Sequence, residues 1–249
     1  MKKKIITWVF LALTTVLLHD LMLVFGSSII RGSVSFENIR SIIWERLTEA
    51  GDAQRYLQIA REGYVTEGAD RINLVFYPLF PYLIRILSLG FIDLASLGMV
   101  ISRLSLMGAA VCLYELVRCD QDEKTAVFSV LFMAVYPFSM FTVGVYTESL
   151  FLLLTVGCML AIRKDKMVWC GVLGFLAALT RVQGMLMIFP AVYRIVAGKL
   201  GSEKRKICWK DAFVLLIPCG FAVYLGINFA LHGNAFQFLI FEKGEPWYQ

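Results

Sequence analysis

Long apolar runs separated by short basic turns constrain this chain more than any motif does. The runs over 5–30, 94–117, 125–142, 147–162, 168–180, 184–198 and 211–231 approach the ~20 apolar residues needed to cross a bilayer. With 59% hydrophobic and 17% charged residues in 249, little length remains for a separate soluble domain. The expected fold is an all-α polytopic membrane protein of about seven transmembrane helices. Any chemistry then falls on loops and helix ends at the membrane surface. MKKK before an apolar run has the look of a secretory signal, yet the run continues without a small-x-small cleavage site. It reads as an uncleaved first span.

Orientation rests on residues 73–92, NLVFYPLFPYLIRILSLGFI. Pro78, Pro81 and Arg85 weaken this stretch as a lipid-exposed span. If it lies on or dips into the outer leaflet, MKKK, 118–124, 163–166 and 198–210 share one side and carry thirteen of the 24 Lys and Arg. By the positive-inside rule that side is cytosolic. A single membrane domain, 1–249, then comprises a first span, an external loop over 31–93, spans two to seven over 94–231, and an external tail over 232–249. The net charge of +5 follows from this asymmetry and gives no reason to expect nucleic acid as a partner. The six cysteines form no C-x-x-C pair and His19 is far from His232, which excludes a disulfide framework and leaves a His-based metal site little support.

The external loop is amphipathic. Phe36, Ile39, Ile43, Leu47 and Ala50 share one helical face, and Gly51 follows, suited to a left-handed helix stop. Asp52 stands where an N-cap belongs. Beyond it Ala53, Tyr56, Leu57, Ala60 and Tyr64 line a second apolar face, with Gln54, Arg55, Gln58, Arg61 and Glu62 opposite. Two such helices suit the membrane interface. Taken alone, Asp52 is read as a helix cap.

Four stretches, GDAQRYLQIAREGY (51–64), FYPLFPYLIR (76–85), YPFSMFTVGVYTESLFLLL (136–154) and GFLAALTRVQGMLMIFP (174–190), together resemble one family. The chain is similar to the glycosyltransferases related to GPI mannosyltransferase 2 (PIG-V-related), which have the polytopic GT-C fold. The resemblance implies transfer of a sugar, usually mannose, from a polyprenyl phosphate to an acceptor hydroxyl on the non-cytosolic face. The partners it implies are the lipid bilayer, the polyprenyl-phosphate sugar, and a glycan, glycolipid or protein acceptor. No metal or other cofactor is expected. Two positions depart from the family, which commonly has Trp before the aspartate and His three residues after it; Gly51 and Arg55 stand there. Family members continue through further spans, so the resemblance also implies a form lacking the C-terminal ones.

By family analogy Asp52 is the general base for the acceptor hydroxyl, a role compatible with capping. Glu148, in VYTES, is either a second catalytic carboxylate that orients the acceptor or a first-turn acid complementing the helix dipole. Arg181, in LTRVQG, is the first candidate for the donor phosphate. Arg103, inside the second span, either joins it there or pairs with Asp20. Arg55, Tyr56 and Tyr146 are candidate acceptor or donor contacts. Asp120-Gln121-Asp122 has the D-x-D form of metal-dependent transferases, but in a short charged turn it reads as solvated loop. Trp247 and Tyr248 suit interfacial anchoring. A transporter or flippase using His19, Asp20 and Arg103, or a non-catalytic assembly partner, remain alternatives. The basic N-terminus and compact core suit a bacterial plasma membrane.

Overall fold

The computed structural model describes residues 2–31, 43–136, 140–200 and 206–244. They are helical throughout, with no strand among the described residues. Besides a helical segment over 43–48, the helices in chain order are α1 (Lys2–Arg31), α2 (Asp52–Glu62), α3 (Leu79–Ser88), α4 (Leu94–Val117), α5 (Glu123–Ala134), α6 (Met140–Val143), α7 (Glu148–Arg163), α8 (Met167–Thr180), α9 (Ile188–Leu200), α10 (Leu216–His232) and α11 (Gln237–Glu242). Short 3-10 turns over Ala69–Val75, Val182–Met187 and Trp209–Leu215 join some of them.

Among the described residues, three stretches are long and apolar enough to cross a bilayer: Lys4–Gly26, Leu94–Val117 and Trp209–His232. This is an all-α membrane protein. The other apolar runs form shorter helices, from the 12 residues of α5 to the 16 of α7. At 1.5 Å per residue, α7 is about 24 Å long.

Side-chain pairs fix the helix directions. Lys4 meets Glu115 at 2.8 Å and Arg103 meets Asp20 at 2.9 Å, so α1 and α4 run antiparallel. Lys164 meets Glu115 at 3.3 Å, while Ser102 donates to the Tyr146 carbonyl at 3.3 Å, so α7 is antiparallel to α4 as well. One end of the bundle therefore gathers Lys4, Glu115 and Lys164. The other gathers α2, α3 and the 143–148 and 181–187 turns. Asp120 pairs with Arg163, and Asp122 caps α5 by accepting from the Thr125 amide at 2.8 Å. The D-x-D turn thus has structural partners.

The segment over 73–92 becomes α3, ten residues or about 15 Å, half of a hydrocarbon core. Leu89, in the left-handed conformation, and Gly90 at φ 79° stop it. One apolar core joins α2 and α3 to the bundle: Tyr56, Ile59, Phe80 and Ile84 pack with Ile101, Tyr146 and Leu150. Complete burial of Phe80, Ile59 and Ile84 contributes roughly 1.5–3 kcal/mol each relative to water. The amphipathic loop therefore docks on protein. Leu47 is buried as expected; Phe36, Ile39, Trp247 and Tyr248 lie outside the described residues.

Candidate active site

Asp52 is not the N-cap expected from its position. Gly51 holds that place, Asp52 is the first helical residue, and no side chain caps the helix. Gly51 has the expected positive φ, 57°, but its ψ of −131° is not the left-handed helical value. That backbone region is open essentially to glycine alone. The Tyr146 hydroxyl donates to the Ala50 carbonyl at 2.7 Å and pins the corner from the bundle side. Val145 N–H donates to the Leu47 carbonyl at 2.8 Å, a second tie between the same segments.

These ties leave Asp52 beside the bundle with its carboxylate unbonded among the described residues. Its own surface is accessible, yet protein on one side partly desolvates the charge and raises its pKa above the ordinary value. The Arg181 and Arg55 guanidiniums pull the other way, more weakly. Asp52 and Arg181 come from elements 129 residues apart in sequence; the Tyr146 bond to Ala50 and the Arg181 pair with Glu148 bring both segments to the 146–148 turn.

Arg181 is the most firmly held of the candidates. It ends α8 in an extended conformation, and its Nε donates to Thr147 Oγ1 at 2.8 Å. A terminal nitrogen pairs with Glu148 Oε1. Two of its five N–H donors are thus used, and its side chain stays 35% exposed. Gly184 closes this turn: its N–H donates to the Arg181 carbonyl at 2.9 Å, and a Cβ there would sit 2.2 Å from the Ala177 carbonyl carbon. Only glycine lets the turn fold back onto α8.

Glu148 opens α7, where its charge complements the helix dipole. Its Oε1 holds Arg181, while Oε2 is buried without a partner among the described residues. Both readings of this residue are therefore compatible with its position. Thr147, fully buried, links Arg181 to the Tyr56 hydroxyl, which lies 3.5 Å from its Oγ1. Sequence reasoning passed over Thr147 although it sits between two candidates; a hydroxyl there carries no signal by itself.

The remaining candidates are divided. Tyr56 is 6% exposed and packs edge-on against Phe76 and Phe80. Burial raises its phenol further, and Tyr146 is raised for the same reason. Arg55 pairs with Asp70 at 3.2 Å, both partly exposed. Arg103 lies deeper, donating to Asp20 and, at 2.9 Å, to the Val143 carbonyl. It therefore joins α1, α4 and α6, and makes the Asp20 ion pair that is one of its two expected roles. His19 is 1% exposed and bonds the Thr15 carbonyl at 2.8 Å within α1.

Helices long and apolar enough to cross a bilayer, with the carboxylates and arginines of Asp52, Glu148, Arg55 and Arg181 at one end of the bundle, define an integral membrane protein with a polar site at that end. The family model for mannosyltransferase (PIG-V) matches residues 3–207, and the chain belongs to that family of glycosyltransferases. The matched stretch contains every candidate residue discussed above. No curated protein and no solved structure matches the chain.

Proposed function

We propose that the chain transfers a mannosyl unit from a polyprenyl-phosphate donor to an acceptor hydroxyl, with Asp52 as general base. The observation that carries this reading is a partly desolvated carboxylate, without a hydrogen bond among the described residues, at the same end of the bundle as a braced arginine. A poor nucleophile needs a base, and Asp52 takes the acceptor proton. The freed oxygen attacks the anomeric carbon and the bond from that carbon to the phosphate oxygen breaks. The lipid phosphate leaves with the electron pair. Arg181 neutralises the departing charge through the N–H groups not given to Thr147 and Glu148. Glu148 positions Arg181 through Oε1, and in this reading the same carboxylate orients the acceptor.

In this reading the chain crosses the membrane seven times with its N-terminus cytosolic, and the site faces outward. Its support is the gathering of Lys4, Arg118, Arg163 and Lys164 at the opposite end of the bundle. Arg103 then supports the site from below, through its bond to the Val143 carbonyl.

The test is transfer by purified protein from polyprenyl-phosphate mannose. Asp52→Asn is expected to lose about 10²- to 10⁴-fold in rate, with folding stability changed by less than about 1 kcal/mol, because no cap is lost. Full activity in Asp52→Asn refutes the base assignment. The pH profile follows from the same carboxylate: kcat/KM rises with pH through a value above the ordinary aspartate range. The stability linkage has the opposite sign. Folded Asp52 holds its proton more tightly than unfolded Asp52, so its stabilising contribution is present at low pH and lost as pH rises through the folded value.

A further inference from the structure

A cleft of about 460 Å³ lies on the flank of α2 turned away from Asp52, within the rough 300–1,000 Å³ range of small-molecule sites. The helical wheel makes it a separate place. Gln58, Arg61 and Glu62 line it, whereas Asp52 stands near the opposite, Tyr56 side of the helix, at successive steps of 100° per residue. Trp44 and Glu49 close it from the preceding segment and Asp93 from the start of α4.

Its chemistry is that of a site for a polyhydroxylated ligand. Trp44 lines the cleft and is 42% exposed, an aromatic side chain of the kind that packs on the C–H face of a sugar ring. Gln58 Oε1 is taken by Asn73 Nδ2 at 2.9 Å, which fixes the amide plane and leaves its NH₂ donors for a hydroxyl. Glu49, Glu62 and Asp93 are acceptors, and among the described lining residues only Arg61 opposes their charge. Asp93 stays ionised because its carboxylate accepts from the Ser96 amide, which lowers its pKa. This acidic surplus repels a lipid phosphate, and so many polar groups disfavour a polyprenyl chain. The donor is excluded from the cleft on both counts.

We propose that the cleft is an acceptor-side carbohydrate subsite, holding a sugar unit of the acceptor removed from the hydroxyl that is glycosylated at Asp52. The inference rests on the transferase reading above, and its test separates the two. Methyl α-mannoside and a linear α-mannotriose serve as acceptors with polyprenyl-phosphate mannose. Wild-type protein is expected to show a KM for the triose about tenfold below that for the monosaccharide. Trp44→Ala erases that preference by raising the triose KM about tenfold, with kcat and the monosaccharide KM unchanged; Trp44→Phe keeps most of it. Unchanged preference in Trp44→Ala, or no preference in wild type, overturns the subsite. If wild type transfers to neither acceptor, the transferase reading fails for these acceptors, and binding alone decides the cleft. Saturation-transfer NMR with mannotriose should then give a signal in wild type that Trp44→Ala loses, and its presence in both or absence from both overturns the proposal.

Discussion

Two carboxylates at opposite ends of the bundle show what separates a structural acid from a reactive one. Glu115 is 7% exposed and fully engaged: Lys4 Nζ donates at 2.8 Å, Trp8 Nε1 at 2.9 Å and Lys164 Nζ at 3.3 Å. It clasps α1, α4 and α7 together. Asp52 has arginines within electrostatic reach but no hydrogen bond among the described residues. One carboxylate spends its lone pairs on the fold. The other keeps them, and its desolvation makes it a better proton acceptor.

Removing the cation beside Asp52 strikes that contrast hardest. Arg181→Ala should lower the transfer rate about 10²- to 10³-fold, the range for losing one preorganised charge-stabilising group. Arg181→Lys should recover little, because an ammonium cannot bond Thr147 and Glu148 while presenting further donors in a fork. Transfer assays on both variants decide this, and a fully active Arg181→Lys would mean that the braced geometry is irrelevant. The reciprocal experiment is Glu115→Ala. It strands the Trp8 N–H and unpairs two lysines, but both lysines are about half exposed and re-solvate. The expected cost is about 1–3 kcal/mol of stability, read as a lower unfolding midpoint in detergent, with transfer per folded molecule unchanged. Loss of transfer without loss of stability would dissolve the division between the two ends.

Much of this architecture is legible in the sequence. The apolar runs give an all-helical membrane fold, and the 94–117 run is α4 to the residue. Prolines and an arginine set 73–92 apart from the other apolar runs, and only ten of its residues form an α-helix, Leu79–Ser88. The periodicity of 53–64 identifies the buried Ala53, Tyr56 and Ala60, though it missed Ile59, which the pairing with α3 covers. Legibility ends where contacts are long in sequence. Nothing local says that Thr147 braces Arg181 or that Glu115 receives three donors from two other helices. The corner at Gly51-Asp52 departs by one residue from what cap propensity predicts, for a related reason. Asp is a good cap by propensity, but the Tyr146 bond to Ala50 sets the chain path there and gives the cap position to Gly51.

Asp93 supplies the smallest effect and the sharpest control. Like Asp52 it stands at the start of a helix at the site end, but it is a true N-cap, accepting from Ser96 N–H at 2.8 Å. That bond lowers its pKa, whereas burial raises that of Asp52. The two aspartates should therefore respond to pH with opposite signs. Asp93→Ala should cost at most about 1 kcal/mol at neutral pH, since the carboxylate is largely solvated. A depressed folded value means that this contribution is present above the unfolded aspartate value and lost as pH falls through the folded one. Wild type and Asp93→Ala should thus converge in unfolding midpoint under acid, while Asp52→Ala stays within about 1 kcal/mol of wild type at neutral pH. Transfer to a monosaccharide should survive Asp93→Ala and fail in Asp52→Ala. If Asp52→Ala instead destabilises the protein at neutral pH as a lost cap would, and the loss fades in acid, Asp52 is a structural carboxylate of the Glu115 kind.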